Sequence, residues 1–372
     1  MRVLVLNWRD RGDPMGGGAE TQLHEITRRL VKKGHEVTWI ASRYPGAAGE
    51  EVGADGIRYL RQGSWRFANL VLPRVLRREL ARRPYDVVLE DINKMPFYSP
   101  LHTALPVTVL IPHLFGTTIY RETNPVVGTY VYLSEWPIPW VYRKSLFEVA
   151  SQSTKRDMIR RGISEDRIWV VENGMDHAVY MIDDPPPRNP HPTFIHLGRL
   201  RKYKSADVVL KAMAVILRRF PDAELHLVGD GPEEEALKRL ARKLGIEKAV
   251  HFLGYMPRPR IVDLLYRSHI FMNPSPKEGW GLTVIEANEC GVPVVASRRP
   301  GLVDSVRDQE TGLLARYGDP GDFADKAMAL LRDRDRWERM SEEAVRWARS
   351  FSWDWAADET EKILKLSIEG GK

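Results

Sequence analysis

The sequence predicts an α/β protein made of two doubly wound halves that face each other across a cleft, each a mostly parallel sheet covered by helices. Three observations predict it. Short apolar runs recur along the chain with helix-spaced segments between them, as buried parallel strands joined by crossover helices require. The alternation breaks at residues 181–193 (MIDDPPPRNPHPT), which hold five prolines in thirteen positions and so form neither a helix nor an inner strand. Beyond that segment the same alternation starts again. The length of 372 residues suits two domains at about 100–200 residues each.

In the first half, residues 3–6 read as a strand, followed by the turn Met15-Gly16-Gly17-Gly18-Ala19-Glu20. Apolar Leu23, Ile26, Leu30 and Val31 then recur at helical spacing, Gly34 ends the helix, and residues 37–41 return as a strand. Further strands are expected at 87–89, 107–111 and 168–171. Residues 65–83 (WRFANLVLPRVLRRELARR) mix Leu70, Val71, Leu72, Val75, Leu76 and Leu80 with Arg74, Arg77, Arg78, Arg82 and Arg83. This basic amphipathic helix reads either as an ordinary surface helix of the first domain or as one that rests on anionic lipid. The aromatic stretch 130–142 (YVYLSEWPIPWVY) leaves two readings open, the acceptor side of the cleft or a core helix.

In the second half, a strand at 193–197 leads into Gly198-Arg199-Leu200 and a helix over 208–219; a strand at 224–228 leads into Gly229-Asp230-Gly231-Pro232 and a helix over 233–244. Strands follow at 250–253, 269–273, 292–296 and 312–315, and the chain closes on helices bearing Trp337, Trp347, Trp353 and Trp355. The expected domains are therefore 1–180 and 194–351, with 181–193 as the linker. In such folds ligands bind at the carboxyl ends of the strands.

Charge and composition narrow the function classes. The chain carries 56 Lys+Arg against 50 Asp+Glu, a net +6, and five of those six excess charges lie in residues 1–180. The excess alone fits nucleic acid, an anionic membrane or a phosphorylated ligand; no nucleic-acid recognition motif accompanies it, so nucleic acid is not expected. A single cysteine, Cys290, rules out an intramolecular disulfide and fits a reducing compartment. The opening MRVLVLNWRD is interrupted at Asn7 and Arg9, unlike a signal peptide, and no later stretch reaches the roughly 20 apolar residues of a membrane span. A cytoplasmic protein is expected, with peripheral contact at the inner membrane face as one reading of 65–83.

Three loops carry chemistry. The Gly-rich turn 15–20 follows a strand and opens a helix, so its N–H groups and the helix end can hold an anion; it reads equally well as a tight turn, and it lacks the glycine spacing of a dinucleotide fingerprint. The loop Gly198-Arg199-Leu200-Arg201-Lys202-Tyr203-Lys204 adds a forked guanidinium and a point charge suited to a diphosphate, although a solvated basic loop has the same composition. In Pro276-Lys277-Glu278-Gly279-Trp280-Gly281-Leu282-Thr283-Val284-Ile285-Glu286-Ala287 two carboxylates bracket a turn that runs into a helix. Carboxylates accept hydrogen bonds from vicinal hydroxyls, and the helix start between them meets phosphate. Glu286 lies in an otherwise apolar stretch, so a partner is expected for it.

Together these residues resemble the retaining nucleotide-sugar glycosyltransferases of the GT-B fold, glycosyltransferase family four, over nearly the whole chain. The resemblance rests on Gly17-Gly18-Ala19-Glu20, His113 after strand 107–111, Asn173-Gly174-Met175-Asp176, Gly198-Arg199-Leu200 with Lys204, Gly229-Asp230-Gly231-Pro232, and Glu278 to Glu286, in that order. It implies two Rossmann-like domains, the first on the acceptor side and the second on the donor side, with a C-terminal helix at about 352–372 that crosses back to the first. It further implies that Arg199 and Lys204 hold the donor diphosphate, Glu286 the ribose, and Glu278 the hydroxyls of the transferred sugar. Gly281, Leu282 and Thr283 at the helix start would meet phosphate, Gly254-Tyr255-Met256 would pack against the base, Gly17 and Gly18 would approach the diphosphate, and His113 would bond the donor sugar near C6. The family has glycine directly after the loop lysine; Ser205 stands there instead.

The implied reaction is transfer of a sugar from a nucleoside diphosphate donor, GDP-mannose, UDP-glucose or similar, to a hydroxyl acceptor of a glycan, glycolipid or cell-surface polysaccharide. A lipid-linked acceptor would suit the basic helix. The anomeric configuration would be kept by a same-face route, with the domains closing over the donor. No Asp-x-Asp pair lies beside the loops and no His- or Cys-rich metal spacing is seen, so neither metal nor cofactor is expected. The alternative on the same fold is a non-catalytic nucleotide-sugar binder or partner subunit.

Overall fold

The computed structural model describes residues 1–371, among which no helix is long and apolar enough to cross a membrane. Contacts divide the chain into two units, one joining Met1–Gly174 to the segment from Ser352 onwards, the other Met175–Phe351.

The first unit is an eight-stranded sheet: β1 (Arg2–Leu6), β2 (Glu36–Ala41), β3 (Glu50–Val52), β4 (Arg58–Arg61), β5 (Val87–Asp91), β6 (Val107–Ile111), β7 (Leu146–Val149) and β8 (Ile168–Val170). They lie in the order β3-β4-β2-β1-β5-β6-β7-β8. All pairs are parallel except β3 with β4. Valine, leucine and isoleucine buried on both faces make β1, β5 and β6 inner strands. Strands β3, β4 and β7 carry no such signal: β3 is an exposed edge, and β4 (RYLR) puts Arg61 inside the protein, neutralised by Asp10 at 2.5 Å and Glu51 at 2.6 Å. In β7 (LFEV) a buried acid, Glu148, interrupts the apolar run.

Segment 65–83 forms a 3-10 turn, Trp65–Phe67, and a helix, Ala68–Leu80, which buries Leu72, Val75 and Leu76 and leaves Leu70 exposed. The aromatic stretch 130–142 is no core helix. It ends the helix Pro125–Glu135 and forms the turn of helix Ile138–Val141, leaving Tyr130, Leu133, Trp136 and Trp140 exposed. The last helix, Trp353–Gly370, packs on helix Gly18–Lys32 and on β5, β6 and β7. Leu364 enters the core there, and Arg29 pairs with Asp354 at 2.5 Å. At Gly174 a Cβ would stand 2.1 Å from the Trp353 nitrogen, so only glycine fits where the chain leaves this unit. Lys372, the end of the expected C-terminal segment, lies outside the described residues.

Complete burial pushes the Glu148 carboxyl up to about 8, and neither of its oxygens finds a hydrogen-bond partner. The folded protein thus keeps a proton that the unfolded chain has lost, and this contribution to stability, fully present below the ordinary glutamate pKa, is lost at about 1.4 kcal/mol per pH unit until the pH reaches about 8. Glu148→Gln, which mimics the protonated acid, gains in Tm over the natural chain as the pH is raised from 5 to 8; a Tm difference that does not change with pH contradicts the assignment.

The second unit is a six-stranded parallel sheet: β9 (Thr193–Leu197), β10 (Glu224–Val228), β11 (Val250–Gly254), β12 (Ile270–Asn273), β13 (Val294–Ser297) and β14 (Gly312–Ala315), in the order β11-β10-β9-β12-β13-β14. Its boundary falls at Gly174/Met175 rather than at residue 180. The short helix His177–Tyr180 buries Tyr180 in the second unit, where Arg258 hydrogen-bonds its hydroxyl at 2.6 Å. Nor is 181–193 a free connector. Arg188 donates to the carbonyls of Leu265 (3.2 Å), Ser268 (2.5 Å), Cys290 (3.1 Å) and Gly291 (2.7 Å), fixing the proline segment to this unit.

Candidate functional site

The carboxyl ends of β9, β11 and β12 carry the loops that the sequence singles out. After β9, Leu200 is buried and donates its N–H to Asp230 O at 2.7 Å, which ties the Arg199 loop to the turn after β10. Lys202–Lys204 then make one 3-10 turn into helix Ala206–Ile216. Ser205, where the family has glycine, stands at φ 56°, ψ 32°, the left-handed region that costs a side-chain-bearing residue roughly 1–2 kcal/mol. Ser205→Gly therefore raises Tm by a few degrees with the fold unchanged, measured by thermal melting; a fall in Tm contradicts this.

Lys204 Nζ lies 2.5 Å from Glu278 Oε1, both groups half-buried. The structure thus joins two of the predicted residues from loops 74 positions apart. Glu278 is held from below by its own N–H, which donates to Pro300 O at 3.1 Å. Three residues on, Gly281 at φ 95° opens helix Leu282–Glu289, a conformation that glycine adopts without cost. The first N–H groups of that helix, at Leu282 and Thr283, have no carbonyl a turn earlier to bond, so the helix start is suited to an anion.

Glu286 sits one turn into this helix and is 9% exposed. The partner expected for it is Arg258, whose Nη1 donates to Glu286 Oε1 at 2.8 Å and to the Tyr180 hydroxyl at 2.6 Å. The carboxylate beside it raises the Arg258 pKa, and burial with the same carboxylate raises that of Tyr180. Neither Arg258 nor Tyr180 stands out in the sequence. Arg258 opens helix Arg258–Arg267 directly after Gly254-Tyr255-Met256. Gly254 ends β11 at φ 65°, its carbonyl accepts the Gly229 N–H at 2.8 Å, and Tyr255 is 81% exposed.

In the first unit, Gly17 caps helix Gly18–Lys32. Its N–H donates to Glu20 Oε2 at 2.6 Å, while Asn93 Nδ2 donates to Glu20 Oε1 at 2.7 Å. Glu20 is thus the strut that ties the Gly-rich loop to the loop after β5. His113 follows β6, half-buried, its ring edge-on to Phe115 with centroids 4.8 Å apart. The loop carrying it is anchored by Glu135, which accepts the N–H groups of Phe115 (2.6 Å) and Gly116 (2.9 Å) and pairs with Arg161 at 3.0 Å. A pocket of about 570 Å³ in this unit is lined by Arg9, Asp13, Met15, Arg43, Tyr44 and Trp65, among others. Beyond Trp65, Phe67 and Leu70 are exposed.

Comparison with known proteins shows the family and the fold. Residues 16–179 match the glycosyltransferase family 4 model and residues 182–347 the model of glycosyl transferases group 1. A D-inositol 3-phosphate glycosyltransferase of Nocardia farcinica is 38% identical over 213 residues, 53% of this chain and 47% of that protein. The Kribbella flavida protein of that name is 33% identical over 224 residues, 56% and 53% respectively. The chain thus spans about half the length of these curated relatives. Among solved structures, sucrose-phosphate synthase from Thermosynechococcus elongatus superposes with TM-score 0.81 at 17% identity, covering 98% of this chain and 99% of its own. Anabaena HepE in complex with UDP and glucose gives TM-score 0.74 at 19% identity, covering 98% and 100%. At such identities these two show the fold.

Proposed function

The chain belongs to the group 1 glycosyl transferases, glycosyltransferase family 4 with the GT-B fold, and from that premise we propose that it is a retaining, metal-independent hexosyltransferase using a nucleoside diphosphate sugar. The observation that carries the reading is the Lys204–Glu278 pair beside the start of helix Leu282–Glu289, with Glu286 held on Arg258 one turn along it. A diphosphate at that helix start takes Lys204 as counter-charge, and Glu278, released from the lysine, accepts hydrogen bonds from the sugar hydroxyls. Glu286, oriented by Arg258, accepts from the ribose hydroxyls, and the base lies against Gly254, Tyr255 and Met256.

In the reaction the bond from C1 to the diphosphate oxygen breaks, and the acceptor oxygen bonds C1 on the same face. The acceptor proton passes to the departing phosphate, so no protein nucleophile is needed. Charge that develops on the leaving oxygen is met by Lys204, Arg199 and the helix start, each well-placed donor contributing about 3–4 kcal/mol.

For the acceptor, the relatives' names specify D-inositol 3-phosphate. The pocket lined by Arg9, Arg43 and Trp65, continued by exposed Phe67 and Leu70, favours an acceptor with an anionic head and an apolar tail, bound where the basic helix Ala68–Leu80 meets a lipid surface. A thermal-shift screen against UDP-, GDP- and ADP-sugars tests the donor site: one donor raises Tm in the natural chain and not in Glu286→Ala. Stabilisation by a donor that is never turned over points instead to a non-catalytic binder; no shift with any of them sinks the donor site.

A further inference from the structure

The amino end of the second sheet holds a group of side chains with no part in the proposed reaction. Glu224 opens β10 opposite Thr193 of β9, and His226 of β10 stands in register with His251 of β11. Residues two apart on a strand share a face, so Glu224, His226 and His251 emerge on one side. His191 joins them from two residues before β9. The Nε2 atoms of all three histidines converge on a single oxygen, Glu224 Oε2, at 3.2 Å for His191, 3.4 Å for His251 and 3.8 Å for His226. One ligand atom each from Glu224, His226 and His251 fits within 4.8 Å of the others. The Nε2 atoms of His191 and His251 are shut off from water and make no hydrogen bond.

We propose that His191, Glu224, His226 and His251 form a site for a divalent transition ion of the Zn²⁺ class, which clamps the amino ends of the three adjacent strands β9, β10 and β11. Tetrahedral bonds of about 2.0–2.1 Å place neighbouring ligand atoms about 3.3 Å apart, close to the three distances from Glu224 Oε2; His191 stands outside the 4.8 Å group of the other three and turns inward to complete the set. Imidazole nitrogens select Zn²⁺, Co²⁺ or Ni²⁺ over Mg²⁺ and Ca²⁺, which take oxygen. The four residues are scattered over 61 positions of sequence, at spacings no linear metal motif shows, and strand pairing alone gathers them. The site lies at the strands' amino ends, whereas the donor loops follow their carboxyl ends. Its ion therefore supports the fold and takes no part in transfer.

The test uses the full chain without an affinity tag, titrated with Zn²⁺ by calorimetry and with Co²⁺ by visible absorption. The natural chain takes up one equivalent, gives the intense visible bands of tetrahedral Co²⁺, and gains several degrees in Tm with excess Zn²⁺. His226→Gln and His251→Gln each weaken binding tenfold or more, while His102→Gln in the first unit leaves it unchanged. His251 is the safeguard against misfolding, since its side chain is 40% exposed; the metal-free Tm of His251→Gln matches that of the natural chain. Uptake of less than one equivalent, or affinity unaltered in both His226→Gln and His251→Gln, overturns the proposal. Donor turnover enters neither outcome, so this site and the donor site stand or fall separately.

Discussion

Lys204→Ala lowers kcat for donor turnover by about 10²–10³-fold, the loss expected when one preorganised donor is removed from a developing oxyanion. The change does two things. It removes the cation that meets the departing diphosphate, and it leaves Glu278 without the counter-charge now 2.5 Å away, so that a second negative charge faces the leaving group. Lys204→Arg recovers part of the rate, because a cation returns although its fork fits the site differently. Steady-state kinetics with saturating donor checks this; a kcat within threefold of the natural value contradicts it.

Glu286→Ala acts on binding more than on rate. A carboxylate that accepts from two ribose hydroxyls contributes about 1.5–3 kcal/mol per charged hydrogen bond, so the donor KM rises about 10²- to 10⁴-fold while kcat changes little. Arg258→Ala gives a smaller rise, since Arg258 works through Glu286, which it holds at 2.8 Å. The double variant is then no worse than Glu286→Ala alone. Additive losses show that Arg258 contacts the donor independently, and an unchanged KM in Glu286→Ala removes the ribose assignment.

Much of this was legible in the residues themselves, for identifiable reasons. The six strands of the second unit are short apolar runs closed by turn residues, and each appears near its expected position. Strands β4 and β7 are hidden because Arg61 and Glu148 break the apolar pattern; Arg61 is compensated by Asp10, remote in sequence, and Glu148 by keeping its proton. Segment 181–193 reads as a connector because prolines exclude helix and inner strand, yet one arginine among them, Arg188, fastens it to four carbonyls.

The site shows the same division. Glu286 was marked by being an acid in an apolar stretch, and its partner was Arg258. The same reasoning applied to YVYLSEW picks out Glu135, the anchor of the His113 loop, and applied to VVLED picks out Glu90, which accepts from the Tyr142 hydroxyl at 2.6 Å and the Phe97 N–H at 2.7 Å. Buried acids flanked by apolar residues thus carry positional information. Arg258 and Tyr180 gave no such sign, because an arginine after a proline and a tyrosine before a linker are ordinary at a surface. The strain at Ser205 was foreshadowed by the family's glycine, since the position calls for a positive φ.

Transfer chemistry at the Lys204–Glu278 loops releases nucleoside diphosphate from the donor. The purified chain is incubated in EDTA with UDP-, GDP- and ADP-sugars, with Lys204→Ala alongside. Slow release of diphosphate from one donor is expected, undiminished by the chelator and lost in the variant. Release that requires added metal, or that survives in Lys204→Ala, would contradict it.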